Sequence, residues 1–211
     1  MSLMIPAETV QLEAQLRKPK DTAIGAVVVC HPHPVYGGTM DNRVVYRAAK
    51  AATESGYISL RFNFRGVGQS TGQFDQGIGE KEDVAAVIRW LEKEYPALPL
   101  ALIGYSFGAW VGLQVGCSVR SVKAMVGLAL PLDLYDFEFL IGNSKPSLYI
   151  VGTRDEFCSP ENLDRLARRL PTSSSLHKIE GAEHFFAGQV EVMESLVGDF
   201  FSTLRLNRDT A

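Results

Sequence analysis

The chain has 211 residues, 46% of them hydrophobic, with 21 basic against 24 acidic residues and a net charge of -3. That length supports one domain, residues 1–211, with a substantial core, and no Pro-, Gly- or Ser-rich stretch divides it. The charges form no long single-sign block, which excludes nucleic acid and anionic membrane as partners and leaves a small molecule. Apolar runs such as 26–30 and 125–132 fall short of the roughly 20 residues of a bilayer span, and residues 1–10 lack the basic-then-apolar order of a secretory signal. Cys30, Cys117 and Cys158 are an odd number, widely spaced and without a C-x-x-C pair, so a reducing, cytoplasmic location is expected. The oligomeric state stays open at this point.

Residues 10–17 alternate apolar and polar positions, which predicts an antiparallel edge strand. Residues 24–30 are apolar at nearly every position, as in a parallel strand buried on both faces. The loop after it reads His31-Pro32-His33-Pro34-Val35-Tyr36-Gly37-Gly38. A two-histidine metal site there has no third ligand at suitable spacing, so no metal is expected. A helix is predicted over 42–55 and a strand over 58–62. The segment from Arg61 to Ser70 then ends that strand in a glycine turn, but Thr71 stands where a dinucleotide fingerprint needs its last glycine. A polar stretch to Gly79 follows in place of a helix N-terminus that could hold a pyrophosphate, so no cofactor is expected, and Arg65 reads as a tie between loops and the sheet rim.

Val84, Val87, Ile88 and Leu91 recur at helical spacing, and a buried strand is predicted over 98–103. Directly after it comes Gly104-Tyr105-Ser106-Phe107-Gly108, and then an all-round apolar stretch, 107–116, expected to be a central buried helix. A serine on a sharp strand-to-helix turn is a nucleophile elbow: the hydroxyl projects above the sheet edge, the flanking glycines permit a strained and tightly packed turn, and the helix N-terminus faces a developing oxyanion. Strands over 124–130 and 147–151 follow, then a helix over 160–170 with Ser159 as its cap, and a short strand over 175–179. Alternating strands and helices of this kind predict an α/β architecture: a mostly parallel central sheet of about seven strands with helices on both faces.

A serine hydroxyl needs a base, and the base needs an acid to fix its tautomer and stabilise its charge. Asp155 lies just past the strand at 147–151, and His184 past the strand at 175–179, so both are expected on the rim that carries Ser106. The order Ser, Asp, His is the one this architecture uses. Asp133 and Glu156 are alternative acids, and His177, inside a predicted strand, is an alternative base. The oxyanion is expected to meet the backbone amide of Phe107 and, because Pro32 and Pro34 have no N–H, that of His33. Tyr36, Gly37 and Tyr105 are candidate substrate contacts.

These motifs together, the His31-to-Gly38 loop with Asn42, the Arg61-to-Ser70 turn and the Ser106 pentapeptide, resemble the α/β-hydrolase superfamily over nearly the whole chain. Within it they are similar to dienelactone hydrolase and the small lidless bacterial serine esterases. The resemblance implies nucleophile Ser106, acid Asp155, base His184 and an oxyanion hole including Phe107; where dienelactone hydrolase carries a cysteine nucleophile, this chain has Ser106. Many relatives insert a helical cap before the strand at 147; residues 131–146 leave room for one short helix, so no cap domain and an open site are expected. The expected activity is hydrolysis of small carboxylic esters without a cofactor. A thioesterase or amidase on the same triad, or a binding protein on the same fold, are the rival readings.

Overall fold

The computed structural model describes residues 2–204. Strand β3 (Gly25–Cys30) is buried at every position, and its side chains divide by parity. Val28 packs into one core layer with Val87 and Val111; Val27 and Val29 pack into the other with Ala48 and Val197. A strand sandwiched between two helical layers has no polar face, which is why its sequence reads as one continuous apolar run. The same holds for β5 (Leu100–Tyr105) and β7 (Ser147–Gly152). The other strands are β1 (Ser2–Ala7), β2 (Val10–Arg17), β4 (Tyr57–Phe62), β6 (Val122–Leu128) and β8 (Ser174–Ile179).

Among the described residues these eight strands form one sheet in the order β1-β2-β4-β3-β5-β6-β7-β8. β1 and β2 are an antiparallel hairpin and β2 pairs antiparallel with β4; the remaining pairs are parallel. The fold is an α/β-hydrolase fold without a cap domain, with eight strands where the sequence predicted about seven. The added strand is β1, whose pairing with β2 buries only Ile5 and Ala7 fully. Such a half-exposed edge leaves too faint an apolar pattern to detect.

Helices α1 (Arg43–Glu54) and α5 (Val190–Thr203) cover one face; α2 (Ile78–Glu94), α3 (Phe107–Ser118) and α4 (Pro160–Ala167) lie on the other. α5 was not anticipated from the sequence, and α2 begins six residues ahead of the periodic apolar set, inside the stretch taken as polar loop. Its early start comes from the Glu80 carboxylate, which accepts the amides of Asp75 and Gly77 at 2.8 and 2.7 Å. The connection 131–146 holds a single 3₁₀ turn, Glu138–Leu140. No helix among the described residues is long and apolar enough to cross a membrane.

The chain passes from β3 to β4 on one side and then to β5 on the other, so β3 and β5 flank a topological switch point. Loops leaving neighbouring strands diverge there and open a crevice at the carboxyl edge. The Arg61-to-Ser70 turn braces that edge. Asn63 accepts the Met40 amide at 2.8 Å and donates to Glu13 at 2.8 Å, and the Gln69 amide also goes to the Glu13 carboxylate at 2.9 Å. Arg65 donates through Nη2 and Nε to Asp83 at 2.9 and 3.1 Å, and its backbone amide goes to the same carboxylate. The Asp83 side chain is fully buried, with Arg65 its cationic partner. Arg65→Ala should therefore destabilise the fold by about 3 kcal/mol, the cost of leaving a buried charge unpaired. Urea unfolding of the two proteins measures it, and a loss under about 1 kcal/mol would show that Asp83 needs no guanidinium.

Candidate active site

Ser106 sits between β5 and α3 with φ 55° and ψ -121°, backbone space that a side-chain-bearing residue enters only at a cost. The turn is closed by its neighbours. A Cβ on Gly104 would lie 2.5 Å from the Ala109 Cα, and one on Gly108 would lie 2.4 Å from the His31 carbonyl oxygen. Only hydrogen at those positions lets α3 start this close to the sheet. The Ser106 amide donates to the Leu128 carbonyl at 2.9 Å, which ties the elbow to β6.

The side chains of Ser106, His184 and Asp155 meet. His184 Nε2 is 2.8 Å from Ser106 Oγ, and His184 Nδ1 is 2.9 Å from both oxygens of Asp155. A carboxylate only accepts, so the proton is on Nδ1 and Nε2 is left to accept from the serine hydroxyl. Asp155 is buried and takes a further bond from the Phe157 amide at 2.9 Å. The Phe157 ring stands edge-on to the imidazole with centroids 4.7 Å apart. The alternative residues are engaged elsewhere. Asp133 accepts from Asn162, from Ser159 Oγ and from the Ser159 amide at 2.6, 2.8 and 2.9 Å, bonds that hold its carboxyl below the usual range. It fastens the start of α4 to the loop after β6. Glu156 meets the backbone amide of His184 at 3.4 Å, and His177 is exposed on β8.

The amide of Phe107, first residue of α3, has no intrahelical acceptor. His33, on the loop from β3, has a backbone amide that no protein acceptor takes among the described residues. Its ring is half-buried among Tyr36, Phe74 and Phe107, with Nδ1 accepting the Val35 amide at 3.2 Å, and burial pushes its pKa below the ordinary value. These groups border a cleft of about 210 Å³. Tyr36 and Gly37 line its mouth, and Pro32, Pro131, Leu134, Tyr135, Phe157 and Phe185 form apolar walls. None of the lining residues is Asp, Glu, Lys or Arg.

Tyr105 also borders the cleft, but it is fully buried and its hydroxyl donates to the His184 carbonyl at 3.2 Å. It braces the loop carrying the imidazole, a contact hidden from the sequence because no motif marks a tyrosine hydroxyl that bonds a backbone carbonyl. His31 has no exposed surface; its Nε2 accepts the Phe64 amide at 3.0 Å and its Nδ1 donates to the Pro32 carbonyl at 2.6 Å. With both nitrogens committed to backbone, it has none free to bind a metal.

The family model described as X-Pro dipeptidyl-peptidase (S15 family) matches residues 8–155, well over half of the chain. The chain belongs to this family. The S15 family is one of the α/β-hydrolases, so hydrolase chemistry is the family's expectation for the site. An uncharacterized protein of Rickettsia prowazekii is 34% identical over 93% of this chain and 87% of its own length. An alpha-beta serine hydrolase homologue from Coxiella burnetii superposes with a TM-score of 0.86 at 33% identity, covering 94% of this chain and 96% of that one. A serine hydrolase without lid from Xanthomonas campestris gives 0.87 at 31% identity, covering 95% and 92%. These matches carry the superfamily and the lidless likeness; the narrower likeness to dienelactone hydrolase is not among them.

In this S15-family chain His31 also makes stability depend on pH. Burial lowers its pKa from 6.5 to about 4. Between those values the unfolded chain binds a proton that the folded chain refuses, so stability is lost as pH falls through that window. The loss reaches about 3 kcal/mol at the lower end. Urea titrations at pH 7 and pH 4.5 should show wild type losing more stability than His31→Gln, and parallel losses would refute the assignment.

Proposed function

We propose that this protein hydrolyses small, uncharged carboxylic esters through an acyl-serine intermediate. The observation that carries the reading is the hydrogen-bonded chain from Ser106 Oγ through His184 to Asp155, at the foot of an apolar cleft. His184 Nε2 takes the hydroxyl proton as Oγ attacks the ester carbonyl carbon. The tetrahedral oxyanion is received by the amides of Phe107 and His33, and Asp155 stabilises the imidazolium. Collapse breaks the bond to the alkoxy oxygen, to which His184 returns the proton, and the alcohol leaves. A water, deprotonated by the same imidazole, then attacks the acyl-enzyme, and the acid is released with Ser106 and His184 restored.

A second reading, cleavage of an amide, is favoured by the family's description. An X-Pro substrate presents a free ammonium, which needs an anionic partner when it is removed from water. The cleft walls offer no carboxylate, whereas a neutral ester needs none. Without a lid, long acyl chains gain little enclosure, so short and protruding groups suit the site.

Short p-nitrophenyl esters should be turned over, and Ser106→Ala should lower kcat by at least about 10⁴-fold with the fold intact. Asp155→Asn should cost about as much, through the wrong imidazole tautomer. Undiminished turnover by Ser106→Ala would end the acyl-serine mechanism. If Gly-Pro p-nitroanilide outran every ester, the bond assigned here would be the wrong one.

A further inference from the structure

His31 is a fully buried imidazole that the proposed steps do not use, and its two bonds are not equivalent. One is an anchor. Nε2 accepts the amide of Phe64, and the residues either side of Phe64 are themselves fixed, Asn63 by Met40 and Glu13 and Arg65 by Asp83. The other bond reaches the carbonyl of Pro32, and that carbonyl belongs to the same peptide unit as the N–H of His33. No peptide bond among the described residues is cis, so this C=O and N–H point in opposite directions from one rigid plane. Fixing the oxygen fixes the direction of the N–H. Withdrawing electron density at the oxygen also strengthens the N–H as a donor, because hydrogen bonds in a chain polarise one another.

The packing around that plane demands the same placement. A Cβ on Gly38 would lie 2.1 Å from the Pro32 oxygen and 2.7 Å from the His33 oxygen, so the returning loop packs directly against this peptide. The His33 oxygen in turn accepts the amides of Tyr36 and Gly38 at 3.2 and 3.0 Å. The carbonyl of the plane is thus held by His31 and packed against Gly38, the following peptide is fixed by its own two bonds, and the His33 N–H is left without a protein partner among the described residues.

We infer that His31 is a positioning residue, which aims and polarises the Pro32–His33 peptide so that the His33 N–H serves as the second oxyanion donor. The imidazole remains neutral throughout, with its proton on Nδ1, and exchanges nothing with the substrate. Burial, which keeps the ring from taking a second proton above about pH 4, preserves Nε2 as an acceptor over the working range. The inference rests on the acyl-serine reading, since it assigns a donor for the oxyanion that reading creates.

Two amide replacements separate the two bonds. The Asn amide overlays Nδ1 and can still donate to the Pro32 oxygen but cannot reach Phe64; the Gln amide overlays Nε2 and keeps the anchor but loses the donor. His31→Gln should therefore lower kcat for p-nitrophenyl butyrate by about 10-fold or more, with KM changed less than about threefold. Affinity for a trifluoromethyl ketone, which forms a tetrahedral adduct on Ser106, should fall by the same factor. His31→Asn should lose less kcat than His31→Gln even where its unfolding midpoint is lower. Equal losses in the two variants, losses that follow the midpoints, or an effect confined to KM would overturn the assignment. Nitrogen-15 NMR of the wild-type protein tests it without any variant: a neutral imidazole protonated at Nδ1 is expected, and a neutral Nε2–H tautomer for His31 would refute it. If Ser106→Ala retains activity, the acyl-serine reading fails; if it is inactive while both His31 variants match wild type in kcat and ketone affinity, only the role of His31 fails.

Discussion

Ser106 holds a backbone conformation that costs roughly 1–3 kcal/mol in isolation, and the architecture of the rim follows from keeping it there. The turn is possible because α3 begins against the ends of β3 and β5 with only glycine hydrogens between. That closeness requires α3 to be apolar on every side, since one face meets the sheet and the others meet α2 and the 131–146 connection. Its sequence, FGAWVGLQVGCS, satisfies this with small residues towards the sheet and Trp110 stacked on Tyr135, ring centroids 4.4 Å apart, on the outer side. The strain at one residue is thus met by a helix whose whole composition serves close approach.

Two buried histidines flank this turn, and their differences explain why one suits proton transfer and the other does not. Both carry the proton on Nδ1. For His184 the acceptor is the Asp155 carboxylate, which stabilises a positive imidazole, and Nε2 faces a hydroxyl that can give up its proton. For His31 the acceptor is the neutral Pro32 carbonyl, and Nε2 faces a backbone amide that cannot. No anion offsets burial there, and the pKa drops to about 4. In the proposed mechanism the same side chain is a proton carrier in one place and a fixed dipolar strut in the other, according to whether its partners can change charge.

What the sequence made legible follows from the range of the forces involved. Parallel strands buried on both faces announce themselves as apolar runs, and residues just beyond their ends must lie on one rim, so Ser106, Asp155 and His184 could be brought together from order alone. Contacts set by tertiary packing could not. The Tyr105 hydroxyl on the His184 carbonyl and the His31 bond to the Phe64 amide depend on how the loops pack at the rim, which no local pattern encodes. The early turn of α2 escaped notice because its stabilising element is a buried Glu80 and not an apolar stripe. β1 escaped because a hairpin arm at the sheet edge is held mainly by backbone bonds to β2.

The absence of a cap changes how the cleft must obtain its selectivity. Residues 131–146 are drawn down onto α3 and the sheet, with Phe137 and Leu140 buried, and little of the segment is left to cover the crevice. Tyr36, Leu134 and Phe185 consequently stand 85%, 60% and 55% exposed around the mouth. An uncovered site cannot exclude water, so charge developing at the reacting atoms must be met by donors already in place; it cannot rely on closure to strengthen them. In the proposed mechanism this places the burden on the orientation of two backbone amides. One is set by the start of a helix anchored in the core. The other sits on a loop with no regular structure beyond a 3₁₀ turn, and its direction has to be imposed by a side chain that is itself anchored outside the loop, on the Phe64 amide. A buried, neutral, doubly bonded imidazole meets that requirement without adding charge to an apolar site.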